Sequence, residues 1–221
     1  MNMMRFTTMK TKLRKYPSIF LILLLAISSC FLTGCVNQHP KDSKKSSQGE
    51  SVETMLEITD PKEKQAVLNA KAKVKALSGN PRIVATSPAV ADICDKLDLD
   101  LVGVPKSSVS KIPSRYKKVK KVGLAMSPDM EIVSSLNPDW ILAPSSLETD
   151  LKPKFEELKN TEYAFLNLRS VQGMYRSAQE LGEIFGKQQE AEKMTKEFTT
   201  FYKSYTKRNK NKKHPKVLVL M

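Results

Sequence analysis

The segment from residue 82 to residue 168 alternates short β-branched runs with helical patterns, and this alternation restricts the fold more than any other feature. Strands are predicted at 82–86, 101–105, 139–144 and 163–168, with helices between them at 87–98, 127–136 and 146–159. Strands that are separated by helices favour βαβ units, in which the strands run parallel. The sequence therefore predicts an α/β fold, with a Rossmann-like N-terminal lobe and parallel sheet over residues 81–169.

Residues 1–34 are predicted to be a lipoprotein signal peptide. Five basic residues and no acidic residue precede an apolar run at 19–27, and "LTGC" follows at 32–35. A charged start, a short apolar centre and small residues at the cleavage point are typical of a secretory signal. The apolar run is shorter than the ~20 residues of a spanning helix, although an uncleaved membrane anchor is the alternative. "LTGC" matches the lipobox of bacterial lipoproteins, which implies an acylated Cys35 that anchors the mature chain at the outer face of the cytoplasmic membrane.

The rest of the chain divides into a tether, a separate helix and a long helical pattern. Residues 35–60 are polar and rich in lysine and serine, which is typical of a tether. An extra N-terminal helix is expected within 61–80. Residues 170–212 carry one helical pattern, which as a single helix would reach ~60 Å and cross from one domain to another. The strand-like run in 213–221 is expected to open a truncated C-terminal lobe.

The lack of catalytic motifs in the sequence favours a binding protein over an enzyme. The net charge is +14, which favours an anionic ligand or lipid, and the export signal disfavours nucleic acid. Cys94 lies in an apolar helical stretch and is expected to be an inert core residue. The sequence has no Walker-type loop, no Ser-His-Asp order and no metal-ligand spacing. We therefore expect no catalytic activity, and an ATPase would be a separate subunit.

Two stretches, "TSPAV" and "MSPDM", repeat one pattern. Ser87 and Ser127 are predicted N-caps, each followed by a proline at the first helical position. Both helix starts would lie at the carboxyl edge of the sheet, where free N–H groups attract anions. Met126 precedes the second cap, and methionine is a known axial ligand of haem iron. Haem therefore fits this edge, although a methionine that only fills a gap in the core is the ordinary alternative.

The stretches "PRIVATSPAVADICDKLDLDLVGVPKSS", "IPSRYKKVKKVGLAMSPDMEIVSSLNPDWIL" and "KKHPKVLVLM" resemble the haem-binding lipoproteins of Gram-positive iron-regulated surface uptake systems. These are substrate-binding proteins of ABC importers for siderophores, haem and cobalamin, and the resemblance covers residues 81–221. It implies two α/β lobes joined by a long helix, with Met126 as an axial ligand of haem iron. The haem propionates would be held by Ser87, Ala89, Val90, Ser107 and Ser108. Glu131 would dock on the permease, unless it is an ordinary first-turn glutamate that interacts with the helix dipole.

The resemblance implies a receptor that takes haem from upstream surface proteins and delivers it to an ABC permease. In the haem-binding relatives, a histidine of the C-terminal lobe is the second axial ligand. This chain has only His39, in the tether, and His214, in "KKHPK", and we assign neither to that role. Three alternatives stay open: the same scaffold with a ferric siderophore or corrinoid, a truncated remnant that binds nothing, and a basic lipoprotein that binds anionic polymers.

Overall fold

The computed structural model describes residues 56–213 as one α/β unit. In chain order its elements are α1 (Pro61–Lys75), β1 (Ile83–Ala85), α2 (Pro88–Lys96), β2 (Leu101–Val104), β3 (Lys120–Lys121), β4 (Gly123–Leu124), β5 (Ser127–Pro128), α3 (Met130–Ser135), β6 (Trp140–Pro144), α4 (Glu148–Glu156), β7 (Glu162–Leu166), α5 (Val171–Phe185) and α6 (Gln188–Asn209). The signal peptide, Cys35, most of the tether, both histidines and the strand-like run at the end lie outside the described residues.

Five parallel strands form the central sheet in the order β3-β2-β1-β6-β7, which confirms the predicted fold class. The middle strands β1 and β6 are fully buried, as expected for a parallel sheet with helices on both faces. Alternate residues enter two different cores. Ile83 and Leu142 belong to the larger core, whereas Val84 and Ile141 belong to the smaller one. The two-residue period of a strand therefore divides one short hydrophobic segment between two faces.

The prediction of one helix over residues 170–212 is wrong within the described chain. Helix α5 ends at Phe185, and Gly186 adopts a left-handed conformation with φ of 73°. Its N–H donates to the carbonyl of Gly182, and α6 begins two residues later. A glycine adopts this conformation without the steric penalty that other residues carry, so it is a common helix terminator. The helical periodicity continues on both sides of Gly186, which is why the sequence alone suggested one helix.

Helices α5 and α6 fold back on each other as an antiparallel hairpin. Gly182 lies opposite Ala191, and further along Tyr175 stacks on Phe198 with ring centroids 4.6 Å apart. A Cβ atom added at Gly182 would lie only 2.7 Å from the Cβ of Ala191. The 22 residues of α6 span about 33 Å, so the expected 60 Å rod does not form here. A role for this segment in joining two lobes stays a prediction.

Helix α1 packs on α5 through an unusually polar contact. Glu63 and Glu180 are 4% and 1% exposed, and the Arg176 Nη2 donates to Glu63 Oε2 at 2.6 Å. Burial, together with a hydrogen bond and charge repulsion from Glu63, raises the pKa of Glu180 to about 9. Glu180 therefore stays protonated at neutral pH beside the ion pair of Arg176 and Glu63.

Neighbouring helices and strands carry further charged residues around Glu63 and Glu180. Lys71 of α1 bonds Glu183 of α5 at 2.8 Å, Lys73 bonds Glu162 of β7, and Glu197 of α6 lies near Tyr175. The apolar contribution of α1 to the core is small, because Val67 and Ala70 are its only buried apolar side chains.

Between residues 56 and 213, no helix is both long enough and apolar enough to cross a membrane.

Replacing Gly182 by valine is expected to reduce the free energy of unfolding by about 1–3 kcal/mol, because the new side chain would collide with Ala191 and overpack the helix contact. Urea denaturation followed by circular dichroism measures this change. Gly79→Ala is the matched control, since nothing lies within 4 Å of a Cβ at that position. Equal stability of the two variants would show that α5 and α6 do not approach closely at Gly182.

Replacing Glu180 by glutamine is expected to remove a pH dependence of stability. The folded chain binds the Glu180 proton more tightly than the unfolded chain does. The resulting stabilisation of the folded state is present at acidic pH and is lost as the pH rises to about 9. Relative to the wild type, the free energy of unfolding of the variant should therefore increase by on the order of 1–3 kcal/mol between about pH 5.5 and pH 8.5. Urea denaturation across this range measures the difference. Exposed Glu157→Gln should show no such trend, and a constant offset for E180Q would contradict the prediction.

Candidate functional site

The carboxyl ends of the five parallel strands lie at one edge of the sheet, which we call the carboxyl edge. From β1 the chain proceeds outward through β2 to β3, and it then returns to β6 on the other side of β1 and continues to β7. The strand order therefore reverses between β1 and β6. In open α/β sheets, ligands bind outside the carboxyl ends of the strands at this point of reversal.

The start of α2 lies at this edge, directly after β1. As predicted, Ser87 is the N-cap, and its Oγ accepts a hydrogen bond from the N–H of Val90 at 3.3 Å. The side chain of Val90 is buried in the larger core, so only backbone atoms of this residue lie near the edge. Ala89 is exposed, and its N–H has no acceptor among residues 56–213. The helix start therefore offers the N–H of Ala89 to an anion.

The loop after β2 contributes two serines. Ser107 is half-buried, and its Oγ accepts a hydrogen bond from the N–H of Ser110 at 3.0 Å, while Ser108 is exposed. Both hydroxyl groups keep a proton that they can donate. The N–H of Lys106 donates to the carbonyl of Gly123 at 2.6 Å. This bond fixes the loop against the segment that carries Met126.

Met126 lies in the two-residue turn of a β-hairpin and not immediately before a helix. Strands β4 and β5 pair antiparallel, with Leu124 opposite Ser127. The prediction that Ser127 caps the next helix is therefore wrong. Helix α3 begins at Met130, and Asp129 is its cap.

Competition for the free N–H groups explains the difference. Oδ1 of Asp129 accepts from the N–H groups of Glu131 and Ile132, at 3.1 and 3.0 Å. A carboxylate accepts both of these bonds at once, and a charged acceptor is favoured at a helix N-terminus. The N–H of Asp129 donates to the carbonyl of Val122 at 2.7 Å, which closes the hairpin.

Three large apolar side chains are exposed in the loop after β2 and in the hairpin, which are joined by the hydrogen bond between Lys106 and Gly123. Val109 is 95% exposed, Leu124 57% and Met126 72%. The exposure of Met126 rules out the ordinary explanation of a methionine that fills a gap in the core. These apolar side chains, with the N–H of Ala89 and the serine hydroxyls at the same edge of the sheet, suit a ligand that has both apolar and anionic parts.

Sequence reasoning missed Ser145. Its Oγ is buried and lacks a hydrogen-bond partner among the described residues. The residue directly follows β6, on the other side of the strand reversal from Ser87. A buried polar atom without a partner is costly in a folded protein, and a ligand would satisfy it. Its position after the buried run "WILAP" was the available signal in the sequence.

The remaining predicted residues do not add a second site. Glu131 is exposed in the first turn of α3, where it also favours the helix dipole. Cys94 is buried as predicted, and burial raises the pKa of its thiol to about 12. In the part of the chain that the structure describes, no cluster of three or more His, Cys, Asp or Glu residues is arranged to hold a metal ion.

Two cavities lie away from the carboxyl edge. One of about 500 Å³ runs along α6 beside Lys193 and Phe201. Another of about 540 Å³ is lined by Asn137, Asp139 and Asn160, in the loops that precede β6 and β7 at the opposite edge. Neither meets the expected placement of a ligand in an open α/β sheet, so the carboxyl edge remains the candidate site.

Comparison with known protein families assigns this parallel α/β fold to a class of binding proteins. Residues 83–221 match the model of the periplasmic binding protein family, so the chain belongs to this family. This confirms, at the level of the family, the resemblance drawn from the sequence.

Among its relatives is the high-affinity heme uptake system protein IsdE of Staphylococcus aureus, 37% identical over 145 residues, which are 65% of this chain and 49% of that protein. The crystal structure of S. aureus IsdE complexed with heme superimposes with a TM-score of 0.58 at 33% identity, over 62% of this chain and 53% of that one. An ABC transporter substrate-binding protein from Listeria monocytogenes EGD-e gives a TM-score of 0.59 at 42% identity, over 62% of this chain and 52% of that one. The chain thus spans about half the length of these relatives. The siderophore-binding protein BauB, with a TM-score of 0.52 at 23% identity, shows the shared fold alone.

Replacing Asp129 by alanine is expected to reduce the free energy of unfolding by about 1 kcal/mol, because two N–H groups at the start of α3 lose their acceptor. Ser127→Ala is the matched control and should change the stability by less than about 0.5 kcal/mol, since that hydroxyl caps nothing in the structure. Chemical denaturation measures both changes. The reverse order of the two effects would show that Ser127 is the true cap.

Proposed function

We propose that this chain supplies the ligand-binding lobe of a membrane-anchored receptor that binds haem and delivers it to an ABC importer. The similarity to IsdE, a heme uptake protein that has been crystallised with heme, supports haem as the cargo. The open carboxyl edge supports a role in binding, because it presents polar and apolar groups side by side. A receptor of this kind binds and releases its cargo without chemical change.

The exposed thioether of Met126 is the observation that carries the proposal. The side chain lies at the tip of a short hairpin, where it is 72% exposed. A side chain that binds the iron of an incoming haem must be accessible to it, and methionine is an axial ligand in haem proteins. Met126 is the proposed axial ligand, and Leu124 and Val109 would contact the apolar macrocycle beside it.

The polar groups of the carboxyl edge are proposed to hold the haem propionates. The N–H of Ala89 at the start of α2 would donate to one carboxylate, in a geometry that Ser87 fixes as N-cap. Ser107 and Ser108 would donate from the loop after β2. Val90 supports this arrangement from the core through its packed side chain. The orphan hydroxyl of Ser145 is a further donor at the same edge.

Delivery requires an anchor and a docking point. Acylated Cys35 would hold the receptor at the outer face of the membrane, where upstream haem-relay surface proteins could reach it. Exposed Glu131, on the first turn of α3, would dock on the permease, whose ATPase is a separate subunit. Both assignments rest on the resemblance to lipoprotein receptors of ABC importers.

A ferric siderophore or a corrinoid is the second candidate cargo. Lys106 and Lys121 are exposed at the carboxyl edge, and serine hydroxyls lie close to them in the chain. Cations and hydroxyl groups also suit the anionic oxygens of a ferric siderophore. Exposed Met126 and Leu124 favour haem instead, because a polar siderophore gains little from apolar contacts.

Haemin titration of the full chain, followed by the Soret absorbance, is the decisive experiment. The wild type should give a saturable change, and Met126→Leu, which keeps the apolar shape but removes the sulfur, should weaken binding about tenfold or shift the band. The cause would be loss of one iron–sulfur bond.

Leu124→Ala is the matched control from the same hairpin. It should weaken binding slightly while leaving the band position of the wild type unchanged, because no iron ligand is lost. Identical spectra for wild type and Met126→Leu would contradict the role of Met126. A saturable fluorescence response to a ferric siderophore, without one to haemin, would favour the second candidate, and no response to either would indicate a non-binding remnant.

A further inference from the structure

Several lysines near the carboxyl edge have no ionic partner. Lys106, Lys120 and Lys121 are all exposed, and none of them forms an ion pair with a carboxylate in residues 56–213. Arg115, from the same basic stretch of sequence, behaves differently. It contacts Asp98 and Asp100 at 2.7 and 2.8 Å, so its charge is neutralised locally.

Two of these unpaired lysines lie at the base of the hairpin that carries Met126. Lys121 pairs with Val104, the last residue of β2, which places it level with the carboxyl edge. Lys106 follows β2, and its N–H bonds the carbonyl of Gly123 in the first strand of the hairpin. Both positive charges therefore border the exposed apolar surface of the hairpin.

A second pair of lysines provides a natural comparison. Lys117 and Lys118 are equally exposed but precede β3, so they lie toward the amino end of this parallel strand. They belong to the turn that follows Tyr116, so the chain reaches the carboxyl end of β3 only after passing through Lys120 and Lys121. Lys117 and Lys118 are therefore farther from the hairpin than Lys121 is, and salt screens their charges there more strongly.

Protection of the sheet edge explains only part of this pattern. Strand β3 is an edge strand, and lysines on an edge strand discourage pairing with another chain. That explanation covers Lys120 and Lys121. It does not cover Lys106, which lies in a loop and belongs to no strand.

We propose that Lys106 and Lys121 form an electrostatic capture site, which draws a carboxylate-bearing apolar ligand toward the hairpin before the ligand contacts Leu124 and Met126. The proposal rests on the proposed function, since it concerns how the same edge acquires its cargo. Exposed charges of this kind accelerate association through their long-range field. They contribute little to holding the ligand once it has bound, because the charges stay hydrated.

Stopped-flow mixing of haemin with the full chain tests the proposal. The Lys106→Gln/Lys121→Gln variant should show an association rate constant about three- to tenfold below that of the wild type at physiological ionic strength, where charges are screened beyond about 8 Å. The difference should shrink toward unity when added salt reduces the screening length to about 3 Å. The dissociation rate constant should stay unchanged. Haemin dimethyl ester, which lacks both carboxylates, should associate at the same rate with every variant.

The matched control is Lys117→Gln/Lys118→Gln, which removes the same charge from the other end of β3. Its association rate should stay within about twofold of the wild type. An equal loss in both double variants would overturn the proposal in favour of a general effect of net charge. Unchanged association together with increased aggregation of Lys106→Gln/Lys121→Gln would also overturn it, and would indicate edge protection.

The proposed function and the capture site fail in different ways. Saturable haemin binding that depends on Met126, with no effect of the lysines on the rate, would remove the capture site alone. A wild type that binds no haemin would remove both.

Discussion

The parallel alignment of the five strands is the constraint on which the rest of the structure depends. In a parallel sheet every carboxyl end lies at one edge, so segments that are distant in sequence meet there. The start of α2, the loop after β2, the hairpin at 123–128 and Ser145 all share this edge. None of these segments forms a site alone. Their convergence follows from the strand direction, and the reversal of strand order beside β1 leaves space between them.

Packing around the sheet combines strong apolar layers with a polar attachment. The central strands supply side chains to two cores, and the close approach at Gly182 holds α6 against α5. Helix α1 is attached differently, by an ion pair between buried Glu63 and half-buried Arg176, with protonated Glu180 beside it. A buried carboxyl group that must keep its proton makes this contact sensitive to pH, whereas the apolar layers are not.

At the carboxyl edge, different residues provide apolar contact and hydrogen bonds. Met126 and Leu124 offer a thioether and an apolar surface, while the N–H of Ala89 and the serine hydroxyls offer hydrogen bonds. Such a combination suits a ligand with both apolar and anionic parts, as the proposed haem cargo has. Under the proposed capture role, Lys106 and Lys121 act at longer range, so capture and retention of the ligand would depend on different residues.

Local sequence signals alone determined the α/β class, the positions of the main strands, the Ser87 cap and the burial of Cys94, because periodicity and capping act over a few neighbouring residues. The tertiary structure decided what such signals leave open. Because residues 123–128 pair as a hairpin, Asp129 and not Ser127 is the N-cap of α3, and Met126 lies in a turn. Contact between Gly182 and Ala191 accompanies a chain reversal at Gly186, within a pattern that reads as one helix. The Ser145 hydroxyl, which has no partner within residues 56–213, is buried by distant segments, and no local pattern encodes that burial.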